Sequence, residues 1–82
     1  MPYYFYVLYS QKLDRYYIGH TSDVEGRLRR HNSRHKGFTA KTDDWMEVYR
    51  ESYPTKEETY RRELEVKKWK SRKRVQELSS AG

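Results

Sequence analysis

Residues 3–9 are Tyr3-Tyr4-Phe5-Tyr6-Val7-Leu8-Tyr9, an unbroken run of aromatic and aliphatic side chains. The run is too short for a stable helix, and its residue types favour extended structure. Because no polar residue interrupts it, the pattern marks neither face of the segment as facing solvent. We therefore predict a buried strand at the centre of a sheet.

A second strand is predicted over residues 15–19, which combine tyrosines with Ile18 and end at Gly19. A tight hairpin closing around Gln11 and Lys12 would place Tyr6 opposite Tyr17, within cross-strand contact distance. A longer loop would shift this register.

The next segment has the signals of a helix. Residues 21–23 offer three N-cap side chains, and Val24 and Leu28 form an apolar stripe on a helix that extends to about Arg34. The polar residues 33–44 then predict a loop.

A third strand is predicted over residues 45–53, which alternate in polarity and end at Pro54. Residues 55–58, Thr55-Lys56-Glu57-Glu58, form a capping box. They predict a long helix that extends to about Lys70.

A short last helix is predicted after Ser71, with Val75 and Leu78 on one side and a frayed end over residues 79–82. The resulting order is strand, strand, helix, strand, helix, helix. This order indicates an α+β fold in which helices flank a small, three-stranded, mostly antiparallel sheet. With 82 residues, the chain has room for one domain over residues 1–82.

The composition excludes several classes of protein. The chain has no cysteine, which excludes a disulfide framework and a thiolate zinc site. It has no run of roughly 20 apolar residues that could span a membrane, and its N-terminus lacks the pattern of a secretory signal. A cytoplasmic protein is the resulting expectation.

The positive charge of the chain is concentrated in two places. The net charge is +6, and basic residues cluster at residues 27–36 and 67–74. Such clusters attract nucleic-acid phosphates through counterion release. An anionic membrane is the weaker alternative, since the C-terminal segment lacks a broad apolar face. The candidate DNA-binding residues are Arg30, Arg34, Lys67, Lys70 and Lys73.

Four segments in this order and spacing resemble the GIY-YIG nuclease superfamily, particularly its small single-domain bacterial members. They are Tyr4-Phe5-Tyr6, Tyr17-Ile18-Gly19, residues 26–32 and residues 62–69. The first segment departs from the family name, because Tyr4 and Phe5 stand where glycine and isoleucine are expected. The resemblance covers nearly the whole chain and implies a GIY-YIG-like fold with phosphodiesterase activity.

The resemblance places two tyrosines in an active site. Tyr6 is the candidate general base or proton relay, and Tyr17 is a candidate ligand of water or phosphate. Because free tyrosine has a pKa near 10, Tyr6 needs a nearby cation, either Arg27 or a metal ion. From composition alone, the favoured explanation of Tyr6 is a core residue, and Tyr17 has a similar ambiguity. Gly19 has no side chain and so permits close approach at a strand end, and an equally good explanation is that it simply ends the strand.

Arg27 and His31 are four residues apart and therefore share one helix face, which is either part of the active site or a solvated basic face. The Arg27 guanidinium suits stabilisation of phosphoryl charge. His31 can position a phosphate, share a proton transfer or assist the leaving group, and the sequence does not choose among these roles. His20 and His35 are weaker candidates, which we expect in turns or at the surface.

The metal ligand is expected to be a carboxylate, since Mg²⁺ and Mn²⁺ prefer oxygen. Glu63 is the candidate because a helical wheel places it at the edge of the buried face, whereas Glu65 points to solvent. The alternative is an ion pair between Glu63 and a neighbour such as Lys67.

The resemblance therefore implies an endonuclease that uses Mg²⁺ or Mn²⁺ to hydrolyse DNA with weak sequence specificity, in repair or recombination. RNA remains an open substrate, and the protein is expected to be a monomer or a weak homodimer. The first alternative is a catalytically weak or inactive nucleic-acid-binding module with the same fold. The second is a small interaction protein whose basic tail contacts an acidic partner.

Overall fold

The computed structural model describes residues 2–33 and 42–81. Within them the elements are β1 (Tyr3–Ser10), β2 (Arg15–Thr21), α1 (Val24–His31), β3 (Met46–Tyr53), α2 (Lys56–Lys68) and α3 (Arg72–Ala81). The predicted α+β class and element order are confirmed. Most of the predicted loop, with Arg34 and His35, lies outside the described residues.

The three strands form one antiparallel sheet in the order β2-β1-β3. The apolar run therefore occupies the central strand, as predicted. β1 and β3 change register between Val7 and Leu8. β2 and β3 are the two edge strands.

The predicted hairpin register is wrong. Tyr6 pairs with Gly19, and Tyr17 pairs with Leu8. The turn occupies residues 11–14 and ends at Asp14, whose φ of 53° is left-handed. The longer turn moves the pairing by two residues, which leaves every side chain on its original face of the sheet. Tyr6 and Tyr17 consequently remain diagonal neighbours, with ring centroids 6.3 Å apart.

Asp44 holds this hairpin from a distant part of the chain. Its carboxylate accepts hydrogen bonds from Ser10 Oγ at 2.6 Å, from the backbone N–H of Lys12 at 2.9 Å and from Thr42 Oγ1 at 2.7 Å. These donors favour the ionised form, with the Ser10 hydroxyl contributing most. They lower the pKa of Asp44 from its ordinary 3.8 to about 2.

We expect Asp44→Asn to destabilise the protein at pH 7 and to flatten its acid sensitivity. Because the pKa of Asp44 is lower in the folded state, its stabilising contribution is complete above pH 4 and disappears as the pH falls towards 2. Urea unfolding measured from pH 7 to pH 2 should therefore show the variant and wild type converging in acid. Asp43→Asn is the matched control, because Asp43 makes an exposed ion pair with Lys12. Parallel pH profiles for wild type and Asp44→Asn would contradict this account.

The sheet is covered on both faces. On one face Phe5 and Val7 pack with Val66 of α2 and Val75 of α3. On the other face Tyr6, Leu8, Val24 of α1 and Trp45 form a second cluster. Alternate residues of β1 therefore enter two different cores, which explains why the segment has no polar face. Tyr6 belongs to the face that α1 covers.

The first helix ends earlier than expected, at His31 rather than about Arg34. Asn32 is its C-cap, and its side chain donates to the Trp45 carbonyl at 3.0 Å and accepts from the Trp45 N–H at 2.8 Å. These paired bonds join the end of α1 to the start of β3. His31 is thereby fixed in the last turn of α1, beside the sheet.

The predicted N-cap residues of the other two helices are confirmed. Thr55 Oγ1 accepts from the Glu58 N–H at the start of α2, and Ser71 Oγ accepts from the Arg74 N–H at the start of α3. α2 ends at Lys68 rather than about Lys70, because Lys70 has a left-handed φ of 48°. α3 continues to Ala81, beyond the residue where we expected fraying to begin. Among the described residues, no helix has the length and apolar character needed to cross a membrane.

Candidate active site

Tyr6 lies at the centre of the candidate site. Its side chain is almost fully buried, at 2% exposure. Its hydroxyl oxygen lies 3.3 Å from Nε2 of His31, 25 residues away in the sequence. Tyr17 completes this group, since the centroid of its ring lies 4.6 Å from that of the His31 ring. The structure therefore brings together Tyr6, Tyr17 and His31, three of the four predicted catalytic residues.

Gly19 allows the Tyr6 hydroxyl to lie where it does. A Cβ atom added at Gly19 would be 2.8 Å from Oη of Tyr6, 2.9 Å from its Cζ and 3.1 Å from Cε1 of Tyr17. Tyr6 cannot easily move away, because it is packed against Tyr17 and His31. The close approach that we expected at this glycine is thus made by a candidate catalytic side chain.

We expect Gly19→Ala to displace the Tyr6 hydroxyl and to destabilise the fold by about 1–3 kcal/mol, the usual range for overpacking a buried site. Thermal unfolding measures this change in stability. In a Tyr6→Phe background the same substitution should cost less, since the closest contacting atom is gone. An equal cost in both backgrounds would show that Gly19 does not act through this hydroxyl.

Helix α1 positions His31 and Arg27. The Asp23 carboxylate accepts from the Gly26 N–H at 3.1 Å and caps the helix, which then carries His31 to a buried position at 6% exposure. Arg27 lies one turn earlier on the same side of α1 and is exposed. The two residues therefore differ in environment. His31 contacts Tyr6 directly, whereas Arg27 acts on it through its charge.

The environment of Tyr6 favours its neutral form. Burial is the largest influence and raises the pKa of Tyr6 well above 10, and the neighbouring Tyr17 and Glu63 raise it further. The Arg27 guanidinium lowers this pKa but does not offset the burial. Arg27 therefore acts on Tyr6 in the expected direction, towards the phenolate, but burial has the larger effect. This balance favours the protonated hydroxyl of Tyr6.

Glu63 of α2 is nearly buried, at 8% exposure. Oε1 of Glu63 lies 2.7 Å from Nδ1 of His20, and Oε2 accepts from Lys67 Nζ at 2.9 Å. Glu65 is mostly exposed and pairs with Arg62, so the predicted contrast between the two glutamates is confirmed. The Lys67 ion pair foreseen as the alternative for Glu63 is also present.

The expectation that His20 lies in a turn or at the surface is wrong. His20 lies in β2, which continues to Thr21. Its ring centroid is 5.4 Å from that of Tyr60, and its Nδ1 contacts Glu63. Because the predicted strand ended at Gly19, the alternation of Ile18 and His20 on one face was missed. That alternation is the signal that could have found it.

Glu63 is the carboxylate through which the site could hold Mg²⁺. Residues 2–33 and 42–81 contain no group of three or more His, Cys, Asp or Glu side chains able to hold a metal. Mg²⁺ nevertheless binds through one or two carboxylates together with water and substrate phosphate. Glu63 supplies such an oxygen, and the Lys67 ammonium beside it is on a half-exposed side chain that can move away. Glu63 therefore fits this kind of site.

The predicted DNA-binding residues that the structure describes are distributed over three helices and the junction of α2 with α3. Arg30 is exposed in α1, and Lys67, Lys70 and Lys73 are exposed in or near α2 and α3. Lys67 and Lys70 line the same cleft, whereas Lys73 lies on a separate surface beside Gln76. Lys67 and Lys70 are thus the pair that adjoins the candidate site.

Comparison with known proteins gives one family and one solved structure. The family model described as "GIY-YIG catalytic domain" matches residues 2–76. The solution NMR structure of the UPF0213 protein BH0048 from Bacillus halodurans is similar, with 33% sequence identity and a TM-score of 0.59. The match covers 99% of this chain and 85% of that one. No curated protein matches.

Proposed function

Because the chain belongs to the GIY-YIG family, we propose that it is a divalent-metal-dependent endonuclease that hydrolyses phosphodiester bonds in DNA. The observation that carries the proposal is the hydrogen bond between the hydroxyl of Tyr6 and Nε2 of His31. Arg27 and Glu63 both lie close enough to alter the pKa of this hydroxyl. A proton acceptor, a cation and a carboxylate are therefore available to one reacting group.

Tyr6 acts as a proton relay in this proposal. With the imidazole proton on Nδ1, Nε2 of His31 accepts the hydrogen bond from the Tyr6 hydroxyl. As water attacks phosphorus, its proton passes to Oη of Tyr6 and the original phenol proton passes to Nε2. The bond between phosphorus and the leaving oxygen breaks, and that oxygen takes a proton from solvent. A relay suits Tyr6 better than a stable phenolate, because burial raises its pKa.

Glu63 and Arg27 would help to neutralise the negative charge of the phosphodiester. Glu63 would hold a Mg²⁺ or Mn²⁺ ion, which neutralises charge on the phosphoryl oxygens when bound. The Lys67 ammonium must leave Oε2 before a cation can approach that oxygen. Arg27 offers a guanidinium to the same oxygens from the exposed side of α1. Tyr17 packs against His31 and holds its ring beside Tyr6.

The exposed basic residues support nucleic acid as the substrate. Arg30, Lys67 and Lys70 would contact phosphates without reading bases, so weak sequence specificity follows. DNA is the proposed substrate and RNA the alternative to be compared in the same assay. The proposal also includes action as a monomer or weak homodimer, a cytoplasmic location and a role in repair or recombination.

The test of this function is a cleavage assay. Supercoiled, branched and single-stranded DNA, and single-stranded RNA, are incubated with the protein in Mg²⁺, Mn²⁺ or chelator. Tyr6→Phe, Arg27→Ala and Glu63→Ala are assayed beside wild type. The proposal predicts metal-dependent cleavage by wild type and large losses in all three variants. Cleavage that persists in every variant would point to a different site or to contamination.

A second candidate is a nucleic-acid-binding module without catalysis. The observation that favours it is the contact of Lys67 with Oε2 of Glu63, which places an ammonium group where a metal ion would bind. This candidate predicts salt-dependent DNA binding by wild type and Glu63→Ala alike, with no cleavage by either. Cleavage by wild type that Glu63→Ala lacks would exclude it.

A further inference from the structure

A cleft of about 420 Å³ lies beside the candidate site, between β2 and the junction of α2 with α3. Its floor is apolar and includes Ile18, Val66 and Val75. Lys67 lines the cleft and also binds Glu63, so the cleft adjoins the carboxylate proposed to hold the metal. A cavity of this size lies within the range of small-ligand pockets.

The rim of the cleft is positively charged. Arg15, Lys67 and Lys70 line it with exposed side chains. The fourth cation, Arg72, is held by a bidentate ion pair with Asp14, the one carboxylate among the lining residues. An apolar floor below a cationic rim is complementary to a ligand that carries both a flat apolar group and phosphate.

Tyr16 adds an aromatic surface to this cleft. The guanidinium of Arg72 lies over its ring, 5.8 Å from the centroid. The ring of Tyr9 packs against Tyr16 as well, with centroids 4.8 Å apart, so Tyr9 and Arg72 together hold the Tyr16 ring in place at the cleft. An unpaired base has exposed apolar faces that can contact the remaining surface of this ring and the apolar floor, whereas paired bases within a duplex do not expose their faces.

Lys70 occupies an unusual backbone position on the rim. It follows the C-cap Trp69 of α2 and has a φ of 48°, at a place where helices most often have glycine. A lysine is conformationally disfavoured there. Strained residues of this kind concentrate at functional sites, which supports a binding role for the side chain of Lys70.

From these features we propose that the cleft binds one unpaired nucleotide of the substrate strand, next to the bond that is cut. The base of this nucleotide contacts Tyr16 and Ile18. The phosphates on either side of the nucleotide contact Arg15, Lys67 and Lys70. The inference rests on the proposed nuclease function and gives its substrate class as single-stranded or branched nucleic acid. A continuous duplex would use the cations of the rim but leave the apolar floor unfilled.

The test measures binding separately from cleavage. The Glu63→Gln protein is titrated in chelator with a fluorescent 12-mer single strand and with the same sequence as a blunt duplex. The single strand should bind at least about tenfold more tightly. Tyr16→Leu should weaken single-strand binding about tenfold, within the range measured for a lost aromatic contact with one base, and leave duplex binding unchanged. Equal affinities for the two forms would overturn the assignment of the cleft.

Lys70→Gly provides the second arm of the test. Glycine suits the left-handed backbone, so the variant should fold at least as stably as wild type while losing a phosphate contact. The slope of log affinity against log salt for the single strand should fall by about 0.7. Lys73→Ala removes a cation outside the cleft and should have a smaller effect on single-strand affinity. Equal effects of Lys70→Gly and Lys73→Ala would refute a specific role for Lys70.

Failure of this inference can be told apart from failure of the proposed function. A wild-type protein that binds single strands selectively but cuts none of the substrates refutes the nuclease and leaves the cleft assignment intact. A wild-type protein that cuts duplex and single strand equally, with equal affinities for both, refutes the cleft assignment and leaves the nuclease intact.

Discussion

Glu63→Gln is expected to lower the rate of phosphodiester cleavage at least about 1000-fold, because a metal ion that stabilises phosphoryl charge contributes several kcal/mol. The amide keeps the size of the side chain and an oxygen that can face Nδ1 of His20, but it loses the negative charge that holds a cation. The fold should therefore persist while metal binding is lost. Single-turnover cleavage and calorimetric titration with Mn²⁺ measure the two effects.

Glu65→Gln is the matched control for this substitution. Glu65 lies in the same helix two residues further on, is mostly exposed and pairs with Arg62. We expect its cleavage rate and Mn²⁺ affinity to stay within about twofold of wild type, since an exposed ion pair contributes little. If Glu63→Gln and Glu65→Gln retain the same activity, Glu63 does not hold the metal.

Tyr6→Phe is expected to lower the cleavage rate by about 10²–10⁴-fold, the usual contribution of a positioned proton-transfer group. The substitution removes one oxygen and the hydrogen bond to His31, and it leaves the packing of the ring in place. Because burial raises the pKa of Tyr6, we also expect no increase in wild-type activity from tyrosine ionisation between pH 7 and pH 9. Single-turnover rates across this pH range measure both predictions.

Tyr9→Phe controls for the general loss of a tyrosine hydroxyl. Tyr9 lies in the same strand, and its hydroxyl donates to Asp14 at the hairpin end, away from His31. The Tyr9→Phe variant should cleave at the wild-type rate. Equal activity of Tyr6→Phe and wild type would exclude Tyr6 as a proton relay, whatever its position in the site.

Much of the fold follows from local sequence signals. The apolar run of β1 requires cover on both faces, and the caps at Thr55 and Ser71 determine where α2 and α3 begin. The hairpin register does not follow from local signals. It depends on Asp44, which is more than 30 residues from the turn that it holds, and a turn sequence contains no information about such a partner.

The candidate site was only partly predictable for the same reason. Spacing on one helix placed Arg27 and His31 together, and a helical wheel distinguished Glu63 from Glu65. The neighbours of Glu63 depend on how α2 packs across β2, so the contact with His20 appeared only in three dimensions. The direction of the shift in the pKa of Tyr6 was also not predictable, because burial has the largest effect and depends on residues that are distant in the sequence, such as Val24 and Trp45.

The central claim is that Tyr6 and Glu63 act on the same phosphodiester bond. A double-mutant cycle on the single-turnover cleavage rate in Mg²⁺ tests it most directly, using wild type, Tyr6→Phe, Glu63→Gln and the double variant. Groups that work as one unit have non-additive effects, so the double variant should cleave within about tenfold of the slower single variant. Losses that multiply in the double variant, or a wild-type rate in either single variant, would contradict the claim.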